Sequence, residues 1–248
     1  MQAFIPAAGL GTRLRPLTDQ RPKALVEILG TPLLKITIDN LTRQGVSKIV
    51  VNVHHFAQLV CDYLHQHSWN AEVIVSDERD LLLDTGGGLK KAVNLFTSNE
   101  PIIIHNVDVL SAIELNKMLQ IHYEKKSIAT LAVSQRQSSR FLLFDTEGNL
   151  TGWTNTKTKE YLWVNPDNDN QTYSQMAFSG ITIIEPKLLD LLPPANKPYP
   201  IIPAYLNIAK HHRISQFQHN AEDWIDVGTP ERLQQAELWM KQHELTYN

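Results

Sequence analysis

The chain has 248 residues, 42% of them hydrophobic and 20% charged. That balance suits an α/β domain with a real core, and it excludes an intrinsically disordered chain, which combines low hydrophobicity with high net charge. The formal charge of −3, from 23 Lys+Arg against 26 Asp+Glu, advertises no nucleic-acid partner. The single cysteine, Cys61, excludes an internal disulfide and a Cys-rich zinc site and suits a reducing compartment. Residues 1–8 are apolar, but Gly9, Arg13 and Arg15 follow at once, the wrong order for a secretory signal. No apolar run approaches the roughly 18 residues of a membrane span. The expectation is a cytoplasmic protein.

In chain order, residues 3–6 form a short apolar strand that ends in glycines. Residues 32–43 read as a helix, with Leu33, Leu34, Ile36, Ile38 and Leu41 on one side and Gly45 as its stop. Residues 48–53 form a β-branched strand, 56–67 a helix, 72–76 a strand, 88–96 a helix, 101–105 a strand, 112–125 a helix and 128–133 a strand. Several of these strands are continuously apolar, which predicts burial on both faces in a parallel sheet covered by helices.

The pattern changes after Ser134. Residues 141–145 and 150–153 flank Glu147-Gly148-Asn149 and predict a hairpin. Residues 165–171 are a polar loop, 177–184 a strand, 186–192 and 201–210 helical, and 214–218 a strand. Residues 230–243 predict a last amphipathic helix with Pro230 in its first turn. No repeat or long linker interrupts the chain. The expected fold is one α/β domain over 1–248: a Rossmann-like mixed, mainly parallel sheet flanked by helices, with a small antiparallel hairpin subregion.

Chemistry concentrates first at Ile5-Pro-Ala-Ala-Gly-Leu-Gly-Thr-Arg-Leu-Arg-Pro-Leu-Thr18 and Arg21-Pro-Lys-Ala-Leu-Val26. Small residues after a strand let backbone N–H groups approach a phosphate or a flat base. Arg13 and Lys23 add two cations suited to a polyphosphate. A Walker A loop is absent, and Gly9-Leu-Gly-Thr-Arg-Leu14 has Leu14 where a dinucleotide fingerprint needs its third glycine. Glycine spacing alone therefore leaves a plain turn equally open.

The whole string resembles the signature of sugar-1-phosphate nucleotidyltransferases, A-A-G-x-G-T-R-L-x-P-L-T followed by P-K-x-L-V, with Pro6 where the family usually has an aliphatic residue. Asp84-Thr-Gly-Gly-Gly88, Asn106-Val-Asp-Val109 and Trp224-Ile-Asp-Val-Gly-Thr-Pro230 resemble its later motifs in the same order. The resemblance implies a nucleotide loop of Ala7, Ala8, Gly9, Gly11, Thr12 and Arg13. Arg13 and Lys23 would act on the phosphates, and Thr85, Gly86 and Gly87 would meet base and sugar. Asp108 and Asp226 would hold Mg²⁺, each after a strand ending at one sheet edge. Asn106, Gly180 and Arg140 would meet the sugar phosphate. Val107 stands where the family usually has glycine, which narrows backbone freedom there.

Bland alternatives stand beside these roles. Asp108 and Asp226 could be loop or cap residues, and Gly180 could lie in an ordinary core strand. The histidine pairs 54/55 and 211/212, with His65 and His67, read as solvated surface, and Cys61 as core.

The implied reaction joins a nucleoside triphosphate to a sugar 1-phosphate by Mg²⁺-assisted in-line attack on the α-phosphate, releasing pyrophosphate. Among family members, the motif set is most similar to the short N-acetylmuramic acid 1-phosphate uridylyltransferases of cell-wall recycling. Mannose-1-phosphate guanylyltransferases and glucose-1-phosphate thymidylyltransferases are the alternatives. Arg136 and Arg140 enter the hairpin where the family builds its sugar pocket, and either could pair with a lactyl carboxylate. Only one helix follows Thr229, so no left-handed β-helix domain is expected. A choline-phosphate cytidylyltransferase is a further reading, and a non-catalytic nucleotide-sugar-binding regulatory protein is the reading from another class. The expected partners are the triphosphate and the sugar 1-phosphate, with no nucleic acid and no membrane, in a monomer or small homo-oligomer.

Overall fold

The computed structural model describes residues 1–97, 99–170 and 172–243. In chain order the elements are β1 (Gln2–Pro6), β2 (Glu27–Ile28), β3 (Thr31–Pro32), α1 (Leu33–Arg43), β4 (Lys48–Val53), α2 (Ala57–Gln66), β5 (Glu72–Asp77), α3 (Asp84–Lys91), β6 (Ile102–His105), β7 (Val109–Ser111) and α4 (Leu115–Glu124). Then follow β8 (Ala129–Ser134), β9 (Arg140–Phe144), β10 (Leu150–Asn155), β11 (Glu160–Trp163), β12 (Ser174–Ile184), α5 (Leu188–Leu191), α6 (Ile201–Ile208), β13 (Ile214–Gln218), β14 (Trp224–Asp226) and α7 (Pro230–Gln242).

The expected α/β class holds. The main sheet runs β11-β10-β9-β12-β6-β1-β4-β5, with β8 and β13 continuing from β12. Its centre, β5-β4-β1-β6, is parallel, and β12 closes it antiparallel to β6. Alternation along the central strands explains the layers. Ala3, Ile5, Ile49, Val51 and Val53 pack with α1, α2 and α7. Phe4, Val50, Ile102 and Ile104 pack with α3, α5 and α6 on the other face. Each of these valine, isoleucine and phenylalanine side chains contributes on the order of 1.5–3 kcal/mol by leaving water, so the sheet is held from both sides.

Two features place the site. First, β1 lies between β4 and β6, so the chain reverses its direction of growth there. Crevices at the carboxyl ends of strands open at such a switch point. Second, β12 carries a register shift between Phe178 and Thr182 against β8, with Gly180 at φ 73°. Bulges re-aim the backbone, and here the Gly180 carbonyl accepts from the Asn106 N–H at 3.0 Å.

Several elements depart from the sequence reading. α3 begins at Asp84, not at residue 88, and so contains Gly86, Gly87 and Gly88. Glycine is a poor helix former, which is why the motif does not read as helix. Strands β7 and β14 form a separate two-stranded sheet, too short to show periodicity. The hairpin gains a third strand, β11. The polar loop contains a 3₁₀ turn over Pro166–Asn170, and its last residue, Gln171, lies outside the described residues. At α7 the Thr229 hydroxyl accepts from the Arg232 N–H with Pro230 following, an ordinary N-cap. His105 and His122 are fully buried, and His54 and His55 half-buried, whereas His65, His67, His211 and His212 are exposed as expected.

Candidate functional site at the carboxyl ends of β1 and β6

A cleft of about 400 Å³ opens at the switch point. One wall is the loop after β1, contributing Ala7, Ala8 and Gly9. The opposite wall is the start of α3, contributing Leu82, Asp84 and Thr85. Asn106, Val107 and Asp108 after β6 form the floor with Lys23. Of the expected site residues, Ala7, Ala8, Gly9, Lys23, Thr85, Asn106 and Asp108 therefore meet in one cavity.

The loop is built by its sequence. Gly11 sits at φ 62°, a region that disfavours side chains. A Cβ there would stand 3.0 Å from Lys23 Cβ and from Thr18 Cγ2. The Gly11 carbonyl accepts from the Thr18 hydroxyl and the Leu14 N–H, both at 2.9 Å, while the Leu14 side chain is buried beneath. The segment is thus folded back on itself by its own hydrogen bonds and packing.

Lys23 Nζ pairs with Asp108 Oδ2, both side chains mostly buried at 12% and 20% exposure. Asp226 reaches this neighbourhood by a different route from the expected one. It does not follow a main-sheet strand; it ends β14, whose partner β7 places Asp226 opposite Val109. The Val227 N–H then donates to the Asp108 carbonyl at 2.7 Å. The Asp226 carboxylate pairs with Arg232 at 3.5 Å. Arg13 does not line the cleft; its guanidinium and the Asp226 carboxylate both border Gly228. Thr12 is exposed, and Gly86 and Gly87 are buried within α3.

Among the described residues no three His, Cys, Asp or Glu gather as a group that could hold a metal ion. Two carboxylates alone would suit a hard cation that keeps waters and completes its shell with substrate phosphates, the habit of Mg²⁺.

Around the bulge, Arg136 folds inward. Its Nη2 donates to the Phe178 carbonyl at 2.6 Å, and its guanidinium lies 3.9 Å over the Trp224 ring. Trp224 Nε1 donates to the Ser179 carbonyl at 2.7 Å, and the Ser179 hydroxyl meets His219 Nε2 at 2.7 Å. Arg140 is exposed at the start of β9 and lines no part of the cleft. Behind the floor, burial pushes His105 down to about 4, so the ring is neutral.

Sequence reasoning missed Asn52 and Glu78. Both are buried, and Asn52 Oδ1 accepts from the N–H groups of Ala7 and Ala8 at 2.6 and 3.2 Å. The available signal was the lone amide within the apolar run of β4.

Among the described residues, no helix is long and apolar enough to cross a membrane. A family model described as "Nucleotidyl transferase" matches residues 2–243. An N-acetylmuramate alpha-1-phosphate uridylyltransferase of Caulobacter vibrioides is 45% identical over 109 residues, 43% of this chain and 45% of that protein. The protein of the same description from Neisseria meningitidis is 28% identical over 96% of this chain and 97% of its own length. The chain spans 51% to 60% of the length of two other curated relatives it matches. A solved UDP-glucose pyrophosphorylase complexed with UDP-glucose shares the fold, with a TM-score of 0.76 at 18% identity over 98% of each chain.

Proposed function

This chain belongs to the nucleotidyl transferase family, and we propose that it couples UTP to N-acetylmuramic acid 1-phosphate, giving UDP-N-acetylmuramic acid and pyrophosphate. The observation that carries this reading is the meeting of the β1 loop, Thr85, Lys23 and Asp108 in one cleft, supported by relatives of the same description in two organisms.

The chemistry asks little of the protein beyond alignment and charge. A sugar 1-phosphate is mostly dianionic near neutral pH, its second pKa being about 6, so no general base is needed. Its phosphate oxygen forms a bond to the α-phosphorus, the bond from that phosphorus to the bridging oxygen breaks, and the electron pair leaves with pyrophosphate. Lys23 neutralises phosphate charge from the cleft floor, and Arg13 does so from beside Gly228. Asp108 and Asp226 would hold Mg²⁺, which when bound draws the phosphate oxygens together and offsets their charge. Gly9 and Thr85, on opposite walls, would bracket the nucleoside. Asn106 and the Gly180 bulge would bound the sugar.

Arg140 is the better reader of the lactyl carboxylate. Arg136 is committed to Phe178 and Trp224, whereas Arg140 is exposed and free to turn. An unpaired buried carboxylate is costly, so an arginine that turned from the start of β9 to meet it would favour the muramic substrate. On this reading the protein would act in the cytoplasm, in cell-wall recycling, as a monomer or small homo-oligomer.

Mannose 1-phosphate with GTP is the second reading. A panel of four nucleoside triphosphates crossed with sugar 1-phosphates and phosphocholine, read by pyrophosphate release, tests both. Fastest turnover of UTP with N-acetylmuramic acid 1-phosphate supports the proposal; faster turnover of GTP with mannose 1-phosphate replaces it. Nucleotide-sugar binding without turnover on any pair would make the protein a sensor.

A further inference from the structure

We propose that Asn52 and Glu78 are positioning residues that tie the two walls of the nucleotide cleft together and set the nucleotide affinity; the inference rests on the nucleotide reading above. Asn52 lies at the carboxyl end of β4, in register with Pro6 of β1. Its Oδ1 gathers the N–H groups of Ala7 and Ala8 at 2.6 and 3.2 Å, so these two donors are already paired within the protein. The other end of the amide donates from Nδ2 to Glu78 Oε1 at 2.7 Å. The second carboxylate oxygen, Oε2, accepts from the Leu83 N–H at 3.3 Å, in the turn that leads into α3. One chain of hydrogen bonds therefore runs from the β1 loop to the start of α3, the segments that supply the two walls.

The pair is costly to keep buried, which argues that it does something. Glu78 is 0% and Asn52 2% exposed, and a buried carboxylate is retained only where its acceptors are filled. Burial pushes the Glu78 carboxyl up, and the Asn52 and Leu83 hydrogen bonds pull it back. The pair also accounts for the third glycine of the α3 motif. A Cβ on Gly88 would stand 2.5 Å from Glu78 Oε1 and 2.7 Å from Asn52 Nδ2. Gly88 is thus a packing glycine for the tether, distinct from a residue that meets the ligand.

The orientation of the amide has only one satisfactory setting. Oδ1 must face the two loop donors and Nδ2 the carboxylate; a flip would bring Nδ2 against two N–H groups and Oδ1 against a carboxylate oxygen. Glu78 fixes that setting, and Asn52 passes it on to the loop.

The test compares Glu78→Gln, Asn52→Ala and the double variant with a buried control remote from the cleft, Val60→Ala in α2. Losing one buried hydrogen bond from the relay should raise the KM for UTP roughly tenfold, with the KM for the sugar 1-phosphate changed less than twofold. The double variant should match Asn52→Ala alone, since both break one relay. Val60→Ala should lower the melting temperature without moving either KM. Backbone amide shifts give a readout independent of activity: Glu78→Gln should move Ala7, Ala8 and Leu83 together in the ligand-free protein. Additive effects of the two single variants, or equal changes in both KM values, would overturn the inference. So would a Glu78→Gln protein in which Leu83 moves and Ala7 and Ala8 do not. Should the wild type bind no nucleoside triphosphate while the three amides still move together, the tether would stand and the nucleotide reading, with the affinity role, would fall.

Discussion

Lys23 and Asp108 are ion-paired on the floor of the cleft, although the first precedes α1 and the second follows β6. The partnership leaves each group the natural competitor for the other's ligand. With Asp108 holding a divalent cation, Lys23 would have the substrate phosphates as its next partner. We expect Asp108→Asn to lower turnover by about 10²-fold or more, the scale of losing a principal charge-stabilising group. The melting temperature should fall as well, because a mostly buried lysine loses its charge partner. Asp226→Asn should cost as much turnover with little change in melting temperature, since its partner Arg232 is exposed and such pairs contribute about 0–1 kcal/mol. Steady-state rates and thermal melts of the two variants check this. Near-normal turnover in either would remove that aspartate from the metal site.

Arg13 borders Gly228 and not the cleft, so its contribution should appear where the phosphates reach the Asp226 side. Arg13→Ala should lower kcat about tenfold or more at saturating triphosphate, the scale of one lost charge-assisted contact, with an unchanged melting temperature because the side chain is exposed. Unaltered kcat under those conditions would make Arg13 a surface charge only.

Much of the fold is legible in the sequence because burial on two faces leaves a plain mark. The apolar run of β4 and the Ile-Ile-Ile of β6 could hardly belong to a one-sided sheet. What stays hidden has a physical reason in each case. The β7–β14 pair has three residues per strand, fewer than any period needs, yet its pairing is what carries Asp226 to Asp108. The start of α3 is masked by glycines whose helical state is set by tertiary packing against Glu78 and Tyr199. The motifs locate Arg13, Arg136 and Arg140 but not their directions, because long side chains on a loop or strand end choose among rotamers by what lies nearby.

Gly180 gives a test of the bulge. Its φ of 73° costs a side-chain-bearing residue on the order of 1–2 kcal/mol, and a Cβ would meet Asn106 Nδ2 at 2.7 Å. Gly180→Ala should lower the melting temperature and raise the KM for the sugar 1-phosphate more than that for UTP. A larger rise for UTP would place the bulge on the nucleotide side of the site.

His105 makes stability depend on pH in a fixed direction. Its folded value of about 4 lies below the ordinary 6.5, so between these values the unfolded chain binds the proton that the folded ring refuses. Its contribution is complete above pH 6.5 and is lost as the pH falls toward 4. Melting temperatures from pH 7 to pH 5 should decline, and His105→Asn should flatten the decline. An identical slope in the variant would assign the loss to other groups.

The two arginines of the hairpin entry should separate by what each touches. Arg136 is built into the Phe178–Trp224 support of the bulge, so Arg136→Ala should destabilise the protein and slow every sugar 1-phosphate alike. Arg140 is exposed at the start of β9, and truncating it removes no internal support. If it reads the lactyl carboxylate, Arg140→Ala should lower kcat/KM for N-acetylmuramic acid 1-phosphate about tenfold or more, the worth of one charge-assisted pair. N-acetylglucosamine 1-phosphate has no lactyl group, so its kcat/KM should hardly change. The ratio of the two kcat/KM values is therefore the measurement, since it cancels any general loss of active protein. An unchanged ratio in Arg140→Ala would free the carboxylate from Arg140, and a ratio that moved only in Arg136→Ala would pass the role to the half-buried Arg136.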